Sequence, residues 1–133
     1  MLNRPPRRVR FLECVLERTG DSLRALVTVA DGDAHAVTGT AERAYSREGD
    51  LWCAAEATVT ALLQLYALEV GALALHDVVA FEISGAPAVA ISLRAHVAGQ
   101  QQRLFGLMQA DEDRGRAAAL SVLSATNRFF ANG

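Results

Sequence analysis

Between residues 7 and 43 apolar positions alternate with polar ones instead of recurring every three or four. "RRVRFLECVLER" (7–18) sets Val9, Phe11 and Val15 among polar residues. "SLRALVTVA" (22–30) puts Leu26, Thr28 and Ala30 on one side and Ala25, Val27 and Val29 on the other. "AHAVTGTAER" (34–43) continues the alternation around Gly39. A period of two is the signature of a half-buried strand. The separators "TGDS" (19–22) and "DGD" (31–33) are turn chemistry. Gly39 in a strand interior marks a bulge or a close approach of another element.

From Leu51 the period changes. Leu51, Ala54, Ala55, Thr58, Leu62, Leu65 and Tyr66 follow helical spacing, with Asp50 placed to cap the start and Gly71 to stop the helix. The plan then starts again. "HDVVAFEIS" (76–84), "AVAISLRAHVA" (88–98) and "RLFGLMQA" (103–110, around Gly106) read as strands joined by "GAP" and "GQQQ", and a second helix spans 113–131. "AAEATVTALLQL" (54–65) and "AALSVLSATNRF" (118–129) align at an offset of 64 residues, and "LVTV" (26–29) falls on "AISL" (90–93) at the same offset. Such a repeat denotes a duplicated supersecondary unit. The chain is therefore expected to be α+β, with repeats at 9–71 and 76–131 after a flexible arm at 1–8. Each three-stranded sheet packs on an Ala-rich helix, and the two copies bury each other's apolar faces.

Composition narrows the class. With 133 residues, 51% of them hydrophobic and 21% charged, the chain is one ordinary globular domain. The net charge of -2 and the absence of a broad basic face argue against a dedicated nucleic-acid binder. All thirteen basic residues are arginine, and alanine is abundant, a bias of GC-rich bacterial genomes. No signal-peptide h-region follows "MLNRPPRRVR", and Glu56, Glu69 and Asp77 interrupt every candidate membrane span. A bacterial, cytoplasmic protein without membrane contact is expected. Cys14 and Cys53 lie in apolar contexts outside any zinc spacing, and read as free thiols.

Little in the chain resembles catalytic machinery. His35, His76 and His96 fall at strand ends on separate elements, no serine has a nucleophile-elbow context, and no phosphate loop is present. No metal, no cofactor and no enzymatic activity are expected. Arg114 and Arg116 are different, because they stand in the first turn of a helix, where the macrodipole disfavours cations. With Gly115 between them, two guanidinium forks and open backbone amides form a candidate site for a small anionic ligand. Tyr45 and Trp52, at the corresponding place in the first repeat, are candidates for stacking on a ligand.

"DRGRAAALSVLSATN" (113–127) is similar to the last helix of the C-terminal regulatory domain of α-isopropylmalate synthase. That family writes Asp, Ala-Ser at four and five positions on, then Ala at eight, Ala at twelve and Asn at fourteen. Asp113, Ala117, Ala125 and Asn127 match, Ala118 stands for the Ser, Ser121 stands for the Ala at eight, and Arg114-Gly115 replaces an isoleucine pair. "RLFGLMQAD" resembles the glycine-bearing strand before that helix. "TGTAERAYSREGDLWCAAEATVTAL" resembles the family's first unit more loosely, without its Gly-Pro pair. The resemblance implies two βββα units, a homodimer, and an end-product amino acid bound at the dimer interface. The synthase's catalytic barrel has no counterpart, so none of its chemistry carries over. The expected function is a non-enzymatic regulatory or small-molecule-binding module acting as a homodimer. The alternatives are a structural or protein-interaction domain without ligand and, with less support, an RNA-binding module.

Overall fold

The computed structural model describes residues 8–32, 35–110 and 113–132. Among the described residues six strands and two helices follow in the order β1 (Val9–Thr19), β2 (Ser22–Asp31), β3 (His35–Ala44), α1 (Gly49–Leu65), β4 (Leu73–Ile83), β5 (Ala86–Val97), β6 (Gln100–Gln109) and α2 (Arg114–Asn132). The strands form two antiparallel sheets, β1-β2-β3 and β4-β5-β6. The chain is thus an α+β protein of two βββα units. The residues before Arg8, assigned to the arm, lie outside the described set.

The two helices lie between the sheets. α1 packs on β2 and β3 and reaches β4, while α2 packs on β5 and β6 and reaches β1. Their starts meet where Arg114 pairs with Asp50, and their ends meet where Tyr66 and Phe130 stack with ring centroids 4.3 Å apart. Start beside start and end beside end means that they run parallel. Asp50 and Arg114, like Tyr66 and Phe130, stand 64 residues apart. Equivalent residues therefore meet across a pseudo-twofold axis lying between the helices.

The repeat extends to irregular features. β1 carries a bulge between Phe11 and Glu13, and β4 carries one between Leu75 and Asp77. Val27 faces Gly39 on β3, and Ile91 faces Gly106 on β6. Both glycines serve helix approach. A Cβ on Gly39 would stand 2.2 Å from the Ala57 carbonyl oxygen, and one on Gly106 would stand 1.9 Å from the Ser121 carbonyl oxygen. Around these contacts Val27, Val29, Leu51, Leu62, Val89, Leu93 and Val122 are fully buried. Thr58 and Ser121, also buried, return their hydroxyls to the carbonyls of Ala54 and Ala117, so the helix–sheet core holds no orphaned hydroxyl at these positions.

The boundaries differ from the sequence expectation in physically simple ways. β5 and β6 pair up to Val97–Gln100, because Ala98 and Gly99 both adopt positive φ in a two-residue turn. α1 ends at Leu65, well before Gly71. The Ala67 and Leu68 amides donate to the Gln64 and Leu63 carbonyls, at 3.2 and 2.8 Å, which is the Schellman pattern. Ala67 takes its left-handed position at φ 53. Alanine is strained there and glycine is not, so Ala67→Gly is expected to stabilise the fold by about 1 kcal/mol. A thermal melt should show a rise of about 3 °C. An unchanged or lowered Tm would contradict this reading of the helix end.

Candidate functional site

The start of α2 is where sequence reasoning placed a ligand. Arg114 Nη2 donates to the Glu48 carboxylate and to Asp50 Oδ1, the latter at 3.2 Å. Two parallel helices bring two positive dipole ends together, which draws the acids, and the acids in turn hold Arg114. Asp50 therefore sits in the first turn of α1 facing Arg114, and the residue at the cap position is Glu48. Gly115 is buried beneath β1, where a Cβ would meet Leu16 Cδ1 at 2.7 Å. The Arg116 amide donates to Asp113 Oδ1 at 2.9 Å, so Asp113 caps α2; Asp111 and Glu112 lie outside the described residues. Tyr45 is exposed with the Arg18 guanidinium 3.6 Å above its ring, and half-buried Trp52 faces Arg43 at 5.1 Å. Of the five candidates, only Arg116 reaches the groove described next.

That groove, of about 690 Å³, runs along the side of α2 between β1, an edge of the first sheet, and β6, an edge of the second. Its floor is apolar, from Val9, Phe11, Met108, Leu120 and Leu123. Its rim carries Arg8, Arg10, Arg116 and Arg128, and among the described residues no carboxylate lines it. Asn127 ties α2 to β1: its Oδ1 accepts from the Val9 amide at 3.0 Å, and its Nδ2 donates to the Val9 carbonyl at 3.1 Å. Arg10 donates to the Gly32 carbonyl at 3.2 Å, and Arg128 to the Phe105 carbonyl. The Arg116 guanidinium lies 5.4 Å from the centre of the Phe11 ring. Among the described residues none of these four arginines forms an ion pair.

The duplication supplies an internal comparison. Sixty-four residues from Arg8, Arg10, Arg116 and Arg128 stand Ala72, Ala74, Trp52 and Gln64. The positions of Phe11 and Asn127 are taken by Leu75 and Leu63. In the first copy Trp52, Leu63 and Leu75 pack against the core. At these positions one copy carries apolar or uncharged side chains, and the other carries the four cations that rim the groove.

Both cysteines are free. Burial, and secondarily Asp113, pushes the Cys14 thiol up to about 11, and burial also raises that of Cys53. Burial, and secondarily Asp31, pushes Tyr66 up to about 12. Both thiols therefore stay protonated at neutral pH. An unfolded Cys14 releases its proton near 9.0, below the folded value, so between these limits the unfolded chain binds fewer protons. Stability is complete below pH 9 and falls as pH rises towards 11, with Tyr66 adding to the loss above 10. Melting temperatures measured from pH 8 to 11 should fall across this window, and Cys14→Ala should delay the onset. A flat profile would contradict the burial of these groups.

His35, His76 and His96 are exposed, and among the described residues no cluster of His, Cys, Asp and Glu could hold a metal ion. No described helix is long and apolar enough to cross a membrane. The chain matches no protein-family model and no curated protein.

Proposed function

We propose that this protein is a non-enzymatic, homodimeric module that binds a small amphipathic anion in the groove between β1, α2 and β6. The observation that carries the reading is the divergence of the two copies. Four arginines that form no ion pair among the described residues rim this groove, and they stand only where the pseudo-symmetric flank has Ala72, Ala74, Trp52 and Gln64. A cluster of cations over an apolar floor suits a ligand with an anionic head and an apolar body. A polyanion such as RNA would be served by a polar track, and the floor of Val9, Phe11 and Leu123 is not one. The resemblance to the α-isopropylmalate synthase regulatory domain supports a regulatory role, with the ligand as the signal.

Thermal shift with a paired probe tests this. Octanoate should raise the melting temperature in a saturable way, because a ligand of the folded state must do so. 1-Octanol, of the same chain length without the charge, should have much less effect. Equal shifts from both, or none from octanoate and from longer carboxylates, would overturn the reading.

A further inference from the structure

The outer faces of the two sheets have diverged as sharply as the two flanks. On the first sheet the outward rows are Glu13–Thr28–Thr38, Val15–Leu26–Thr40 and Glu17–Arg24–Glu42, with Thr28 and Thr38 hydroxyls 2.8 Å apart. On the second sheet the rows across β4, β5 and β6 are Phe81–Ala88–Gln109, Val79–Ala90–Leu107 and Asp77–Ser92–Phe105. Val79, Phe81, Ile83, Phe105 and Leu107 are 37–61% exposed. By the offsets of the duplication, four of the five stand where the first sheet has Glu17, Thr19, Thr38 and Thr40.

We infer that this outer face of the second sheet is the surface through which two copies of the chain associate. The inference rests on the reading of the protein as a homodimer, and not on the ligand groove. Two features select a second copy as the occupant. The first is shape. Bulky side chains on β4 and β6 flank a trough floored by Ala88, Ala90 and Ser92 on β5, so the face carries both a ridge and a hollow to receive one. With a twofold axis along the strands, the β6 ridge of each copy enters the β5 trough of the other, an isologous contact made with a single patch. The second is area. The five side chains expose roughly 500 Å² of apolar surface, at the upper end of the largest patch on a typical monomer. Two such faces with their rims reach the ~1,200–2,000 Å² of a stable interface. Packing of aligned sheets about 10 Å apart is a standard way to cover such a face.

Sedimentation equilibrium of the full chain, 14.2 kDa per copy, is the test. The wild type should sediment as a dimer at 10 µM. The pair Phe105→Glu with Leu107→Glu, and separately Val79→Glu on the opposite ridge, should raise the dimer dissociation constant at least a hundredfold while circular dichroism stays native. Val15→Glu with Thr40→Glu, on the first sheet, should leave the dimer intact. A wild type that is monomeric at 100 µM overturns both the surface and the homodimer. A dimeric wild type whose second-sheet variants remain dimeric, or whose first-sheet variant dissociates equally, overturns the surface alone.

Discussion

Gly106→Ala is expected to destabilise the protein by about 3 kcal/mol or more, the upper range for overpacking a tight interface. The new Cβ would lie 1.9 Å from the Ser121 carbonyl oxygen and 2.8 Å from its carbon, both backbone atoms of α2. A flexible side chain could swing away, but a helix backbone moves only as a body, and α2 is held by β5, β6, β1 and α1 together. Gly39→Ala should behave alike, because its Cβ would meet the Ala57 oxygen at 2.2 Å and the Ala61 nitrogen at 2.4 Å. Gly20→Ala provides the contrast. Nothing lies within 4 Å there, so only its φ of +60 is penalised, at about 1 kcal/mol. Chemical denaturation of the three variants should separate them clearly. Equal, small losses at all three positions would show that the helices do not approach the sheets as described.

The second large effect concerns the rim of the groove. Each charged hydrogen bond lost from a bound anion costs about 1.5–3 kcal/mol. The double change Arg10→Ala with Arg116→Ala should therefore weaken octanoate binding, measured by calorimetry, by at least tenfold. Folding should be nearly intact, since both side chains are exposed and neither is in an ion pair among the described residues. Arg114→Ala is the informative partner experiment. It removes the pairing with Glu48 and Asp50, so it should lower the melting temperature by a few degrees and leave octanoate affinity within about twofold. The reverse pattern, affinity lost with Arg114 and kept without Arg10 and Arg116, would move the site back to the helix start.

Most of the fold was legible because period-two and helical spacing are local properties. The six strands and two helices appear in the expected order, and both strand glycines prove to be close-approach sites. What local patterns hide is whatever depends on a neighbour. Leu12 and His76 each sit in a bulge that no residue type announces. Ala67 ends α1 in a conformation usually left to glycine. Asp50 looks like a cap in isolation, yet it faces Arg114 from the other repeat. The groove is of the same kind. Arg116 draws notice as a cation at a helix start, but Arg8 and Arg10 join it only because β1 crosses to the second unit's helix, over one hundred residues away in the chain. A position-by-position comparison of the two copies would have exposed it, since arginine faces Ala72, Ala74, Trp52 and Gln64 at the offset that aligns the helices.

The central claim is that one flank of a pseudo-symmetric molecule has become an anion site while its counterpart has not. Amide-resolved NMR of the isotope-labelled full chain, titrated with octanoate, tests it most directly. Saturable shift changes are expected at Val9, Phe11, Leu123 and the Asn127 side-chain amide, with the equivalent positions Leu73, Leu75, Val59 and Leu63 undisturbed. Comparable changes on both flanks, or changes confined to Leu73, Leu75 and Leu63, would contradict it.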